Sequence, residues 1–151
     1  MKLATLVRGS VFAVAAASLA ACGGNNRPPE IKQYTDDMAF RISAVPAPPV
    51  AEIMTVFKVV VLDRATGQPI QHGQGRIFAT SQEHAQTGDG LAEGPEVGTY
   101  YAHVRFPVAG DWAIGLQFRR DSTSKLVRTQ DWQQEVLRAP PLGQSTDTNK
   151  R

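Results

Sequence analysis

Between Val97 and Phe118 the sequence reads V-G-T-Y-Y-A-H-V-R-F-P-V-A-G-D-W-A-I-G-L-Q-F, and this stretch limits what the chain can fold into more than any other. Its apolar residues recur with a period of two. Tyr100, Ala102, Val104 and Phe106 fall on one face of a strand, and Tyr101, His103 and Arg105 fall on the other. The alternation breaks at Pro107–Asp111, where Pro107 and Gly110 mark a turn. It then resumes with Trp112, Ile114, Leu116 and Phe118 on one face and Ala113, Gly115, Gln117 and Arg119 opposite. The pattern predicts a β-hairpin whose two aromatic-rich faces form the centre of a β core.

The rest of the chain agrees with this reading. Ala39–Val45 alternates with Phe40, Ile42 and Ala44 inward and ends at Pro46-Ala47-Pro48-Pro49, a run that cannot sit in a central ladder because proline has no N–H donor. Ile53–Asp63 is nearly continuous in apolar residues. Phe57, Val59 and Val61 take one face, and Met54, Val56, Val60 and Leu62 share the other with Lys58, as expected of a central strand. Arg64–Pro69 is a turn marked by Gly67 and Pro69. Gln74–Ser81 is a strand with Ile77 and Ala79 inward, and Glu83–Pro95 is a polar loop or short edge strand. Leu126–Leu137 supplies a last strand, and Arg138 begins a tail, rich in Pro and polar residues, that predicts disorder. Beyond the N-terminal segment no dozen residues show helical periodicity. About seven short strands separated by turn signals predict an all-β, immunoglobulin-like antiparallel sandwich over residues 38–138.

The N-terminus reads as a targeting segment rather than as fold. Lys2 and Arg8 precede a short apolar run, Val11–Leu19, shorter than the roughly 20 residues needed to span a bilayer. Leu19-Ala20-Ala21-Cys22 resembles the lipobox of bacterial lipoproteins, in which the chain is cut before the Cys and the thiol is acylated. Residues 1–21 are then a signal peptide and Cys22 the lipid attachment site. Residues 22–37, polar and holding Pro28-Pro29, are expected to form a flexible tether. Gly23 after the Cys lacks the acidic retention signal of enteric-type lipoproteins, which implies an outer membrane facing the periplasm. Cys22 is the only cysteine, so a disulfide framework and a thiolate metal cluster are excluded. Without Lys2 and Arg8 the chain balances 14 basic against 14 acidic residues. A neutral chain with scattered cations has no electrostatic footprint for nucleic acid.

Two segments carry a family resemblance. F-K-V-V-V-L-D-R-A-T-G-Q-P-I, from Phe57 to Ile70, resembles the opening strand and turn of YtkA-like domains. Gly98, Tyr100, Ala102, Phe106, Gly110 and Trp112 are similar to the aromatic closing hairpin of that family, which neighbours the FixH-like and CopC-type envelope domains. The resemblance implies a small immunoglobulin-like domain outside the cytoplasm, often lipid-anchored, with some members tied to copper handling or oxidase assembly. Those members carry Met and His before the hairpin and a Met in its turn. Here Val108 takes the turn position, and His84 is the sole histidine of the preceding loop.

Candidate chemistry is sparse. His72, His84 and His103 are the only histidines and the candidate metal ligands, without thioethers beside them. Ser81, His84 and Asp89 have the composition of a triad but no nucleophile elbow or recognisable oxyanion hole. Gly88-Asp89-Gly90 reads as a turn rather than a phosphate cradle. Trp112 reads as core, and Tyr101, His103 and Arg105 as an outward stripe. The function expected is therefore a non-enzymatic, lipid-anchored envelope binding or accessory module that needs no cofactor and meets another envelope protein through a sheet face or edge. The alternative is a periplasmic copper-binding or oxidase-assembly accessory protein.

Overall fold

A computed structural model describes residues 29–141, and all its regular structure is β. The signal peptide, Cys22 and the last ten residues lie outside the described residues. The strands, in chain order, are β1 (Ile31–Tyr34), β2 (Met38–Val45), β3 (Met54–Asp63), β4 (Gln74–Ser81), β5 (Gln86–Gly90), β6 (Ala92–Glu93), β7 (Thr99–Arg105), β8 (Gly110–Arg119), β9 (Val127–Arg128) and β10 (Trp132–Val136). They form two antiparallel sheets. The first has the order β1-β2-β3-β7-β6 and the second β10-β8-β4-β5, with β9 beside β8. The described residues thus form ten strands where about seven were expected.

The inward residues are those that the period-two pattern selects. Phe40 and Ile42 of β2, Phe57, Val59 and Val61 of β3, and Tyr100, Ala102 and Val104 of β7 line the inner face of the first sheet. Ile77 and Ala79 of β4 and Trp112, Ile114, Leu116 and Phe118 of β8 line that of the second. Edge-to-face aromatic pairs join the two layers: Phe40 and Tyr100 meet Phe118 at centroid distances of 5.9 and 5.1 Å, and Phe106 meets Trp112 at 5.1 Å. Burial of these faces from both sides is the main drive to fold. Ala44 is only half-buried, because it lies near the sheet's end.

The predicted hairpin is corrected. β7 pairs with β3 and β6, whereas β8 pairs with β4 and β10, so the two strands belong to different sheets. The short link between Phe106 and Gly110 carries the chain across the sandwich. Gly110 has φ 124°, a value that side chains disfavour. Trp112 donates its indole N–H to the Val108 carbonyl at 3.2 Å and closes the arch. The two aromatic faces meet across the core instead of side by side.

Three further boundaries differ from expectation. Ile31–Tyr34, assigned to the tether, pairs with β2, from Ile31–Ile42 to Tyr34–Ala39. Leu126–Leu137 is not one strand: Arg128 faces Gln117 and Trp132 faces Ile114, so four steps on one chain match three on β8, a bulge. Buried Thr129 fills the gap, its hydroxyl accepting the Leu116 N–H at 3.0 Å. The Glu83–Pro95 segment holds both β5 and β6 and passes from the second sheet to the first.

The predicted turn after β3 is present and heavily bonded. Asp63 accepts the N–H groups of Ala65 and Thr66 at 3.0 and 2.8 Å, and Gly67 has φ 71°. Arg120 bridges Asp63 and Asp37 at 2.8 and 3.1 Å, tying β8 to the β1–β2 turn. These donors hold the Asp63 carboxyl well below its ordinary range, at about 2, with the Thr66 N–H the largest cause.

Candidate functional site

The three histidines do not converge. His72 sits in a turn with φ 58°, its side chain 85% exposed, and Glu93 receives both its N–H and its ring Nδ1, at 2.9 and 3.2 Å. His84 takes φ 64° in the β4–β5 turn, held by its N–H on the Ser81 carbonyl at 3.1 Å. His103 is on the solvent face of β7. Positive φ assigns His72 and His84 to turn-making. Among the described residues no three His, Cys, Asp or Glu side chains cluster as a metal site would require.

The members of the triad-like set have structural partners. The Ser81 hydroxyl accepts the Ala85 N–H at 3.1 Å. Asp89 accepts the His103 N–H at 2.7 Å, and Thr87 donates to the Arg105 carbonyl at 2.9 Å. β7 has a ladder neighbour on this side only at Tyr100 and Tyr101, so Asp89 and Thr87 satisfy edge groups that β6 leaves open. In the outward stripe Tyr101 donates to Glu96 at 2.6 Å, and Lys58 pairs with the same carboxylate at 2.9 Å. The Tyr101 hydroxyl and the Lys58 ammonium hold the Glu96 carboxyl below its ordinary range.

The outer face of the second sheet is different. Antiparallel β4 and β8 each carry a Q-x-R tripeptide, Gln74-Gly75-Arg76 and Gln117-Phe118-Arg119, in register so that each Arg lies opposite a Gln. Arg76 donates from Nε to Gln117 at 2.9 Å, and Arg119 from Nε to Gln74 at 3.0 Å. Elsewhere Arg41, Lys58 and Arg120 are paired with carboxylates. Arg76 and Arg119 are oriented by neutral amides, and among the described residues no carboxylate forms an ion pair with either.

Beside them Phe78 projects outward from β4 between two glycines, Gly88 on β5 and Gly115 on β8. A Cβ at Gly115 would meet Asp131 and the Phe78 ring, so the glycine gives both their places. The Arg128 guanidinium lies 4.4 Å from the Phe78 centroid and is fixed by two 3.0 Å bonds to Asp131. The groove so formed, with Arg76, Gln86 and Gly88 on its walls, encloses about 630 Å³. A second depression of about 390 Å³ lies between Gln74, Arg76, Arg119 and Leu126. Arg76 borders both. Preoriented guanidiniums beside an aromatic floor suit carboxylate recognition. The repeated Q-x-R was present in the sequence, but its meaning depends on the β4–β8 register.

No family model matches the sequence, and no curated protein matches it. Among solved structures it is similar to a DUF4426 family protein from Pseudomonas aeruginosa PAO1, with a TM-score of 0.55 at 12% identity over 72% of this chain and 94% of that one. The likeness is one of fold.

Proposed function

We propose that the protein is a non-enzymatic, lipid-anchored binding module of the cell envelope. Its partner is an envelope protein presenting carboxylates to the outer face of the second sheet. The observation that carries this is the reciprocal Arg–Gln arrangement of Arg76, Gln117, Arg119 and Gln74. Two arginines held flat on a sheet by amides have lost conformational freedom before any partner arrives, which lowers the cost of binding. Their field draws an acidic surface and makes association fall with salt. The lipobox resemblance at Leu19–Cys22 supports the anchoring, and the Phe57–Ile70 and Gly98–Trp112 resemblances support a YtkA-like or FixH-like affiliation.

The test is capture from envelope extracts by the full-length acylated protein at low salt. The Arg76→Gln/Arg119→Gln double variant should lose the captured partner. Arg41→Gln, which alters an arginine already paired with Glu30, should retain it. Equal capture by both variants would refute the reading.

A further inference from the structure

One end of the sandwich carries most of its exposed apolar side chains. Of the eight large hydrophobic residues exposed among the described residues, Val45, Ile53, Met54, Val108 and Leu137 lie at the end where β2 and β7 finish and β3 and β8 begin. Backbone bonds knit these loops together: Ala51 N–H to the Leu137 carbonyl and Glu52 N–H to the Phe106 carbonyl, both at 2.8 Å. The other three, Tyr34, Val97 and Leu126, are scattered at the opposite end. A group of this kind on a small domain marks a contact surface.

The chain enters the described fold at this same end. Ile31 pairs with Ile42, and Pro29 borders an apolar recess of about 230 Å³ with Ala44, Ala47, Pro48 and Phe57. Cys22 precedes Pro29 by seven residues. At roughly 3.3–3.6 Å per residue their separation is at most about 25 Å. The far end lies another strand length away, about 26 Å for eight residues.

We infer that this apolar end rests on the phospholipid bilayer, with Val45, Ile53, Met54, Val108 and Leu137 in the headgroup–acyl boundary. The inference rests on the proposed acylation of Cys22, which holds the end within reach of the membrane. The exposed charges at this end, Glu52, Glu83, Asp111 and Glu135 against Arg105 and Arg138, leave it acidic rather than basic. Apolar contact, not attraction to anionic lipid, therefore holds the domain down. Docked this way, the sheets stand off the membrane, and Arg119 and Gln74 lie at the end away from it, open to a partner.

The test uses the full-length acylated protein in phosphatidylcholine vesicles, with a nitroxide on Ile53→Cys or on Val97→Cys at the far end. Acylation occupies the thiol of Cys22, so each introduced cysteine is the one labelled. The ratio of oxygen to nickel-chelate accessibility should be several-fold higher at position 53 than at 97, and should persist when salt is raised about tenfold, because apolar burial is not screened. Equal, water-like ratios on protein whose mass shows the acyl chains would overturn the docking and leave the anchoring intact. A mass without acyl chains would refute the anchoring, and the docking with it. A ratio that collapses in high salt would show that charge holds the domain and would overturn the apolar mechanism.

Discussion

Removing one hydroxyl should reveal how strongly β7 is joined to the β3–β4 connection. Tyr100 is fully buried, and its hydroxyl donates to the Ile70 carbonyl and accepts the Gly73 N–H, both at 2.9 Å. Tyr100→Phe keeps the ring on Phe118, at a centroid distance of 5.1 Å, so almost no cavity opens. It leaves two backbone groups without partners. An unsatisfied buried group costs about 1–3 kcal/mol, and half-buried Gly73 recovers part of that through water, so the expected loss is about 2–3 kcal/mol. With a urea m-value of about 1–1.5 kcal/mol/M for a domain of this size, the midpoint should fall by about 2 M. Urea titration followed by tryptophan fluorescence reads this directly, with an unchanged m-value confirming that the unfolding unit is the same. A loss under about 0.5 kcal/mol would refute the reasoning, since it would mean that the hydroxyl is not the partner of these groups.

Other substitutions probe separate parts of the account. Among the described residues the buried Thr55 hydroxyl has no partner, so Thr55→Val, of the same shape, should stabilise the domain by about 1 kcal/mol in the same titration. Asp63, whose pKa is lowered from 3.8 to about 2, contributes stability that is complete above about pH 4 and is lost as pH falls towards 2. Asp63→Asn should flatten part of the fall in melting temperature between those values; Asp121, also at about 2, keeps the remainder. Because His72, His84 and His103 occupy separate turns and a strand face, competition titration with Cu(I) and Cu(II) against a calibrated chelator should show no submicromolar binding. Tight binding abolished by His84→Ala would contradict this placement.

What could be read in the sequence was the burial of faces. Alternation reports which side of a strand is apolar, and Phe57, Val59, Val61, Ile114 and Leu116 obey it because each sheet buries one face. Alternation does not report which strand lies beside which. β7 and β8 have the pattern of hairpin partners, yet a sandwich buries the same two faces equally well when an arch separates them. β1 carries little apolar signal because Ile31-Lys32-Gln33-Tyr34 is a short edge strand with only half-buried inward side chains. The break between β9 and β10 has no apolar signal, since buried Thr129 fills it. The candidate binding face was the least legible part. Arg76 and Arg119 look like scattered surface cations until the register sets each beside a glutamine.

The most direct measurement is site-specific photo-cross-linking in living cells, with a benzophenone amino acid at Gln86 on the wall of the groove or at Ser43 on the outer face of the first sheet. One discrete adduct is expected from position 86, none from position 43, and the adduct should be lost in the Arg76→Gln/Arg119→Gln background. An adduct from position 43 alone, or one from position 86 that survives removal of both arginines, would contradict the proposed binding face.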